Sequence, residues 1–285
     1  MTPFYFDTET FLIAPGLLAP PPVCATWISD DGKPWLDTPE QFCDVLQSGL
    51  EADDVIFVGH NIAFDFGVMC EAFPHLLPLV FKAYADGRVS DTQIREQIIA
   101  HAQGMLRRLS GKPSAKGPGR GFSMGAIMYR RFGENLTADK GEDAWRLRYG
   151  TLADTPIADW PEAARAYALD DAERTRRMWQ AQLDDAGKLR EMLVEQGVDL
   201  DEATPPPFVQ NERETVAAAW ALHLAGCWGL RTDPVDVARV GRAYTDEIDH
   251  RDAELKEAGL LRPNGVRNMA AIRQRVIDAY PKLGR

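Results

Sequence analysis

What this chain of 285 residues is short of narrows its reading first. It carries only four cysteines, Cys24, Cys43, Cys70 and Cys227, and none stands at a paired spacing. That excludes a zinc ribbon and a disulfide framework, and the thiols read as reduced and mostly buried. No apolar run approaches the ~20 residues that a bilayer span needs, and no basic stretch followed by an apolar one stands near the first residues. A cytoplasmic setting with no membrane partner is therefore expected. There is no surplus of positive charge either, since the formal net charge is −11. General basicity cannot hold a nucleic acid here, so any polyanion must be met locally. No internal repeat is found.

What is present suits a globular α/β protein. Hydrophobic residues make up 45% of the chain, enough to fill one large core or two ordinary ones. Residues 3–7 and 22–29 read as strands separated by the Pro-rich "APGLLAPPP". In "TPEQFCDVLQSGL", Thr38 suits an N-cap and Pro39 the first helical position, with apolar residues at helical spacing behind them. "DVIFVGH" reads as a buried strand, "NIAFDFGVMCEAF" as a helix, residues 91–103 as another helix, and Trp160 to about Asp185 as a long one. Alternating strands and helices predict an α/β domain. "LDEATPPPF" marks a linker before a mainly helical remainder, so the expected division is residues 1–186, a linker at 187–207, and a helical region at 208–285.

Two short acidic patterns stand out. "FYFDTET" ends an aromatic-rich strand on Asp7 and Glu9, which the period of two places on one face. Like charges ~4 Å apart repel by roughly 4 kcal/mol at an effective dielectric of 20, so such a pair calls for a proton, a basic partner or a cation. A solvated strand end is the plain alternative, because Asp-x-Glu recurs at Asp171/Glu173 and Asp252/Glu254. In "YALDD", Tyr167 and Asp171 lie one helical turn apart and address one point in space. Between them in sequence, "GHNIAFD" sets Asn61 and Asp65 across a strand-to-helix junction, where the helix dipole favours an anionic Asp65.

Taken in order, "FDTET", "VGHNIAFDFGVM" and "YALDDAERTRRMW" resemble the three motifs of the DEDD superfamily of 3′–5′ exonucleases, which have an RNase H-like fold. The likeness is to the proofreading domain of family A, DNA polymerase I type, polymerases, and "SMGAIMYRRFG" and "DKGEDAWRLRYGTLADTPIADWPEAARAYA" look like polymerases of phage type. It spans about residues 3–185. The resemblance implies an RNase H-like mixed sheet flanked by helices, with Asp7, Glu9, Asp65 and Asp171 as ligands of two Mg²⁺ or Mn²⁺ ions. It implies that Tyr167 orients the attacking water. A second subclass carries histidine five residues before the last aspartate; that position is Ala166 here, so the tyrosine subclass is indicated. Four acids and a phosphodiester carry about five negative charges, which two divalent cations offset to within one unit.

A frayed 3′ end of DNA is the implied partner. Thr8, His60 and Asn61 stand in the motifs and can contact its backbone, while Ile13, Phe64 and the Leu17/Leu18 loop can pack on terminal bases; core packing is the alternative for each apolar residue. His60 equally suits a satisfied histidine near a helix cap. From Arg95 to Arg131, eight Lys or Arg face the single acid Glu96, a local reversal of the chain's charge. Arg107, Arg108, Lys112, Lys116 and Arg120 in its Gly/Pro loop are candidate phosphate contacts, or else the loop is simply solvated. That loop lengthens the stretch between Asp65 and Asp171 beyond a minimal domain.

"NERETVAAAWALHLAGCWGLRTDPVDV" resembles the passage of family A polymerases from exonuclease into thumb, and no palm or fingers motif follows. Either the N-terminal part of a polymerase, whose remainder would then be a partner, or a naturally short exonuclease fits. The expected function is metal-dependent 3′–5′ DNA exonuclease activity. An RNA-trimming enzyme of the RNase D type and a non-catalytic scaffold that binds nucleic acid are the alternatives.

Overall fold

The computed structural model describes residues 1–29, 31–109, 119–136, 144–197, 211–229 and 233–280. The chain divides into two units, Met1–Gly229 and Leu230–Arg285.

The first unit is an α/β body on a five-stranded mixed sheet. Its strands are β1 (Thr2–Thr10), β2 (Pro22–Ile28), β3 (Pro34–Asp37), β4 (Val55–Gly59) and β5 (Val89–Asp91), in the order β3-β2-β1-β4-β5. β2 runs antiparallel to β1 and to β3, whereas β4 runs parallel to β1 and to β5. The period of two divides the side chains between two cores. Phe6 and Phe57 face α1 (Pro39–Glu51) and α2 (Ile62–Ala72), packing with Phe42, Leu46 and Phe66. Tyr5, Ile56 and Val58 face the other way, onto Ala172 and Trp179 of α7 (Glu162–Glu195). The N-terminus of α1 follows its sequence signals: Thr38 and Gln41 form a reciprocal capping box and Pro39 occupies the first turn.

Two features of this layout position the acids. β1 pairs with β4 only from Thr2 to Tyr5, so its residues beyond Tyr5 lack a strand neighbour on that side. On α7, Ala164, Ala168 and Ala172 are all fully buried, a stripe of small side chains at successive turns that lets the helix lie close to the sheet. Tyr167 and Asp171 each immediately precede a member of that stripe.

α3 (Leu77–Ala85), α4 (Thr92–Ala102), α5 (Leu106–Leu109), α6 (Met124–Phe132) and α8 (Glu212–Trp228) complete the unit. α8 packs on the sheet unit through Val216, Trp220 and Leu224, with Trp220 stacked on Tyr84. Two expected boundaries move accordingly. Residues 187–195 continue α7 as helix, 198–210 lie outside the described residues, and α8 belongs with the sheet and not with the region after it. The second unit contains α9 (Pro234–Glu257), capped by Asp233, and α10 (Met269–Ala279), capped by Asn268; neither helix buries a residue. Among the described residues no helix is long and apolar enough to cross a membrane.

Candidate metal centre

β1 projects Asp7 and Glu9 from the same face toward α7, and the two carboxylates come together there with that of Asp171. One oxygen from each of the three lies within 4.8 Å of the others. Glu9 is buried and Asp7 and Asp171 are half-buried. All three donors are hard carboxylate oxygens, a set that can hold a metal ion of the Mg²⁺ or Mn²⁺ class.

Asp65 reaches the same end of β1 from α2 by a different route. Its Oδ1 accepts the backbone N–H of Thr8 at 2.9 Å and the Thr8 hydroxyl at 2.6 Å. The first bond takes the donor that β4, ending where it does, leaves unpaired. Asp65 thus substitutes for a strand neighbour and locks the first turn of α2 onto the acid-bearing stretch of β1.

Three of the four acids, Asp7, Glu9 and Asp65, have their proton affinity raised. Burial, followed by the charges of Asp65, Asp171 and Glu9, holds the Asp7 carboxyl well above the usual carboxylate range. Burial, then Asp171 and Asp65, does the same to Glu9. Burial pushes Asp65 up to about 7 against the two Thr8 hydrogen bonds, which favour its charged form. Among the described residues no ion pair joins a cation to Asp7, Glu9 or Asp65. Asp171 differs, because Arg174 Nη1 donates to its Oδ1 at 2.7 Å.

Tyr167 lies one turn before Asp171 on α7, half-buried, with its ring 6.2 Å from that of Tyr149. Tyr149 is fixed in turn by donating its hydroxyl to the Ala164 carbonyl at 2.7 Å.

The expected nucleic-acid contacts divide three ways. Ile13 is 57% exposed in the loop after β1, flanked by exposed Leu12, Leu17 and Leu18. Arg107, Arg108 and Arg120 are exposed, as is Asn61, which holds a left-handed conformation at φ 65° ahead of α2. Others are turned inward. The Thr8 hydroxyl serves Asp65, and Phe64 meets the His223 ring edge-on at 6.2 Å. His60 Nδ1 lies 2.9 Å from the Thr92 hydroxyl, and burial pulls its pKa down to about 4, so the ring is neutral. Lys112 and Lys116 lie outside the described residues.

The basic segment also needs partial correction as a phosphate-facing surface. Arg130 and Arg131 both pair with Glu96, at 2.8 and 2.7 Å, and Arg131 pairs again with Asp185 at 2.7 Å. Arg95 is fully buried, 3.7 Å from Glu212 of α8 and over the Trp179 ring. These three arginines are internal counter-ions.

Two residues with a role at the site escaped the sequence reading. Buried Asp91 caps α4 by accepting from the N–H groups of Gln93 and Ile94, and it also accepts those of Asn61 and Ile62 at the start of α2. One carboxylate therefore fixes two helix N-termini, including the helix that carries Asp65. "SDTQ" is a readable N-cap signal, but only for α4. Arg174 was visible as a residue three places after Asp171, the spacing of a helical ion pair.

No protein-family model and no curated protein matches the chain.

Proposed function

We propose that this chain is a metal-dependent 3′–5′ exonuclease acting on DNA, with an RNase H-like sheet, of the tyrosine subclass, and akin to the proofreading domains of family A polymerases. The observation that carries this reading is the meeting of Asp7, Glu9 and Asp171 within 4.8 Å, from two elements far apart in sequence. The mixed strand order, with β1 central and its carboxylates beyond the end of β4, supports the fold assignment. The bond from Thr8 to Asp65 supports the inclusion of the fourth acid.

Asp7, Glu9, Asp65 and Asp171 would hold two Mg²⁺ or Mn²⁺ ions, and the raised proton affinity of the first three fits residues whose counter-charge comes from outside the chain. Such ions, when bound, supply charge neutralisation at the phosphate, an acidified water and stabilisation of the leaving 3′-oxygen. The chain's own residues supply orientation. The Tyr167 hydroxyl, with a reference pKa near 10, is too weak a base for neutral pH and positions the water by a hydrogen bond. On this reading Ile13 and its exposed apolar neighbours would offer a surface for the terminal base, and exposed Asn61 and Arg120 would contact the strand's backbone. The partner is the single-stranded or frayed 3′ end of DNA, with the rest of a polymerase as a second partner if the chain is part of one.

The experiment is digestion of 3′-labelled single-stranded DNA and RNA oligonucleotides with Mn²⁺, with Mg²⁺ and with chelator. Metal-dependent stepwise release of nucleoside monophosphates from DNA is expected. A folded protein that releases none in either ion overturns the reading, and a clear preference for RNA transfers it to the RNase D type.

A further inference from the structure

Behind Tyr167 stands a second tyrosine to which no role at the site has been given. Tyr149 opens the 3-10 turn Tyr149–Leu152 and is fully buried. Its ring lies 5.8 Å from that of Trp160 and 6.3 Å from that of Trp145, and its hydroxyl donates to the Ala164 carbonyl of α7 at 2.7 Å. Burial, followed by the charge of Glu9, pushes its phenol far up, so that hydroxyl stays a donor. Packed between two tryptophans and tied at its tip, the ring is a fixed wall. Tyr167 packs on the same cluster, which also holds buried Ala164 and Ala168, and its ring lies 6.2 Å from that of Tyr149 at 52°. A long side chain on a helix leans back over the preceding turn, which for Tyr167 is Ala163–Ala164, where Tyr149 is anchored. The 3-10 turn also lies tight against the end of β1, because a Cβ on Gly150 would stand 2.7 Å from the Phe11 ring, two residues past Glu9.

We infer that Tyr149 is a positioning residue for Tyr167, the wall that fixes the direction of the Tyr167 hydroxyl and with it the point at which the attacking water is held. This rests on the proposed exonuclease reading. A tyrosine that only orients water acts through geometry, and a displacement of about 1 Å can cost on the order of a hundredfold in rate. Tyr167 is half-buried, so the packing on its inner side has to hold the angle of its ring. Tyr149 is fully buried and its hydroxyl proton is spent on Ala164, so it acts through Tyr167 and not on the substrate.

Steady-state release from a 3′-labelled single-stranded DNA oligonucleotide in Mn²⁺, run beside calorimetric Mn²⁺ titration of the metal-stripped whole chain, tests this. Tyr149→Leu removes the wall, and Tyr149→Phe only its tether to Ala164. Tyr149→Leu is expected to lower kcat about tenfold or more with KM and Mn²⁺ affinity unchanged, and Tyr149→Phe to lower it by less. In a Tyr167→Phe background neither change should lower kcat further, because the hydroxyl they position is gone. Other contacts of the Tyr167 ring are common to both backgrounds and drop out of that comparison. A loss of kcat that persists undiminished in the Tyr167→Phe background, or one shared with KM and Mn²⁺ affinity, marks Tyr149 as merely structural and overturns the inference. A wild-type kcat in Y149L overturns it too and leaves the exonuclease reading standing, whereas a wild-type chain that releases nothing in Mn²⁺ overturns both. Should Y149L not fold, Y149F decides alone, and an unchanged kcat there refutes the role.

Discussion

Glu9 and Glu96 are both buried glutamates of the same unit, held in opposite ways. Glu96 sits between Arg130 and Arg131 and accepts a further bond from Gln182 at 2.9 Å. Burial alone would raise its pKa, but Arg131, Arg130 and Gln182 outweigh that and bring it below the usual range. Glu9 meets burial with Asp171 and Asp65 as its charged neighbours, and every influence pushes the same way. A chain able to set two guanidiniums on one buried carboxylate was not short of means to neutralise another. The unpaired arrangement costs stability, which under the proposed reading a bound metal ion would offset by supplying the missing charge.

Asp7→Asn should separate the two regions most sharply. If the exonuclease reading holds, nucleotide release in Mn²⁺ falls about a thousandfold or more, since the proposed metal set would lose a ligand. The metal-free Tm should rise at the same time, because a neutral amide relieves the repulsion from Glu9, Asp65 and Asp171. A fall in both would place Asp7 with Glu96 as a structural acid. Glu96→Ala should give the converse, a loss of about 3 kcal/mol in denaturant unfolding, because two partly buried arginines lose their shared partner. Activity per folded molecule should persist in that variant.

The two regions should also respond to pH with opposite signs. The folded pKa of Asp65 lies at about 7, above its unfolded value of 3.8, so the native state binds the extra proton. Its contribution is favourable below the unfolded value and is lost as pH rises through the folded one, and Asp7 and Glu9 shift in the same direction. For Glu96 the folded value is depressed, so its contribution is present above the unfolded value and lost as pH falls. Metal-free protein should therefore lose on the order of 2 kcal/mol or more between about pH 4 and pH 7, and Asp65→Asn should flatten that decline. Thermal unfolding across the range in chelator measures it; a decline undiminished in the variant would rule Asp65 out as its source.

The contrast between the regions also explains what the sequence disclosed. The common face of Asp7 and Glu9, the Tyr167–Asp171 turn and the Thr38 cap are local, set by periods of two or about 3.6 that a linear string displays directly. β5 has three residues, too few for a period, and β3 is short, begins with Pro34 and is largely exposed at its first two positions, so neither announces itself. The inward role of Arg131 depends on Glu96 and Asp185, which lie 35 and 54 positions away. A run of arginines looks alike in sequence whether its partners are internal or a phosphate. Asp91 went unread for the same reason: its cap on α4 is local, while its hold on Asn61 and Ile62 is not. Asp91→Ala should cost about 1–2 kcal/mol in chemical denaturation for each cap lost and should weaken Mn²⁺ binding through the misplacement of Asp65.

The mildest effect distinguishes the arginines themselves. Arg107 and Arg108 are exposed on α5, and each lacks an ion pair with an acid among the described residues, whereas Arg130 and Arg131 are held by Glu96. If the exposed pair meets the strand's phosphates, R107Q/R108Q should lower the slope of log affinity against log salt for single-stranded DNA by about 1.4, two contacts at ~0.7 each. Its Tm should stay at the wild-type value, since exposed positions without internal partners contribute little to stability. R130Q should do the reverse, lowering the Tm and leaving the slope alone. An unchanged slope in R107Q/R108Q would remove α5 from the proposed nucleic-acid surface.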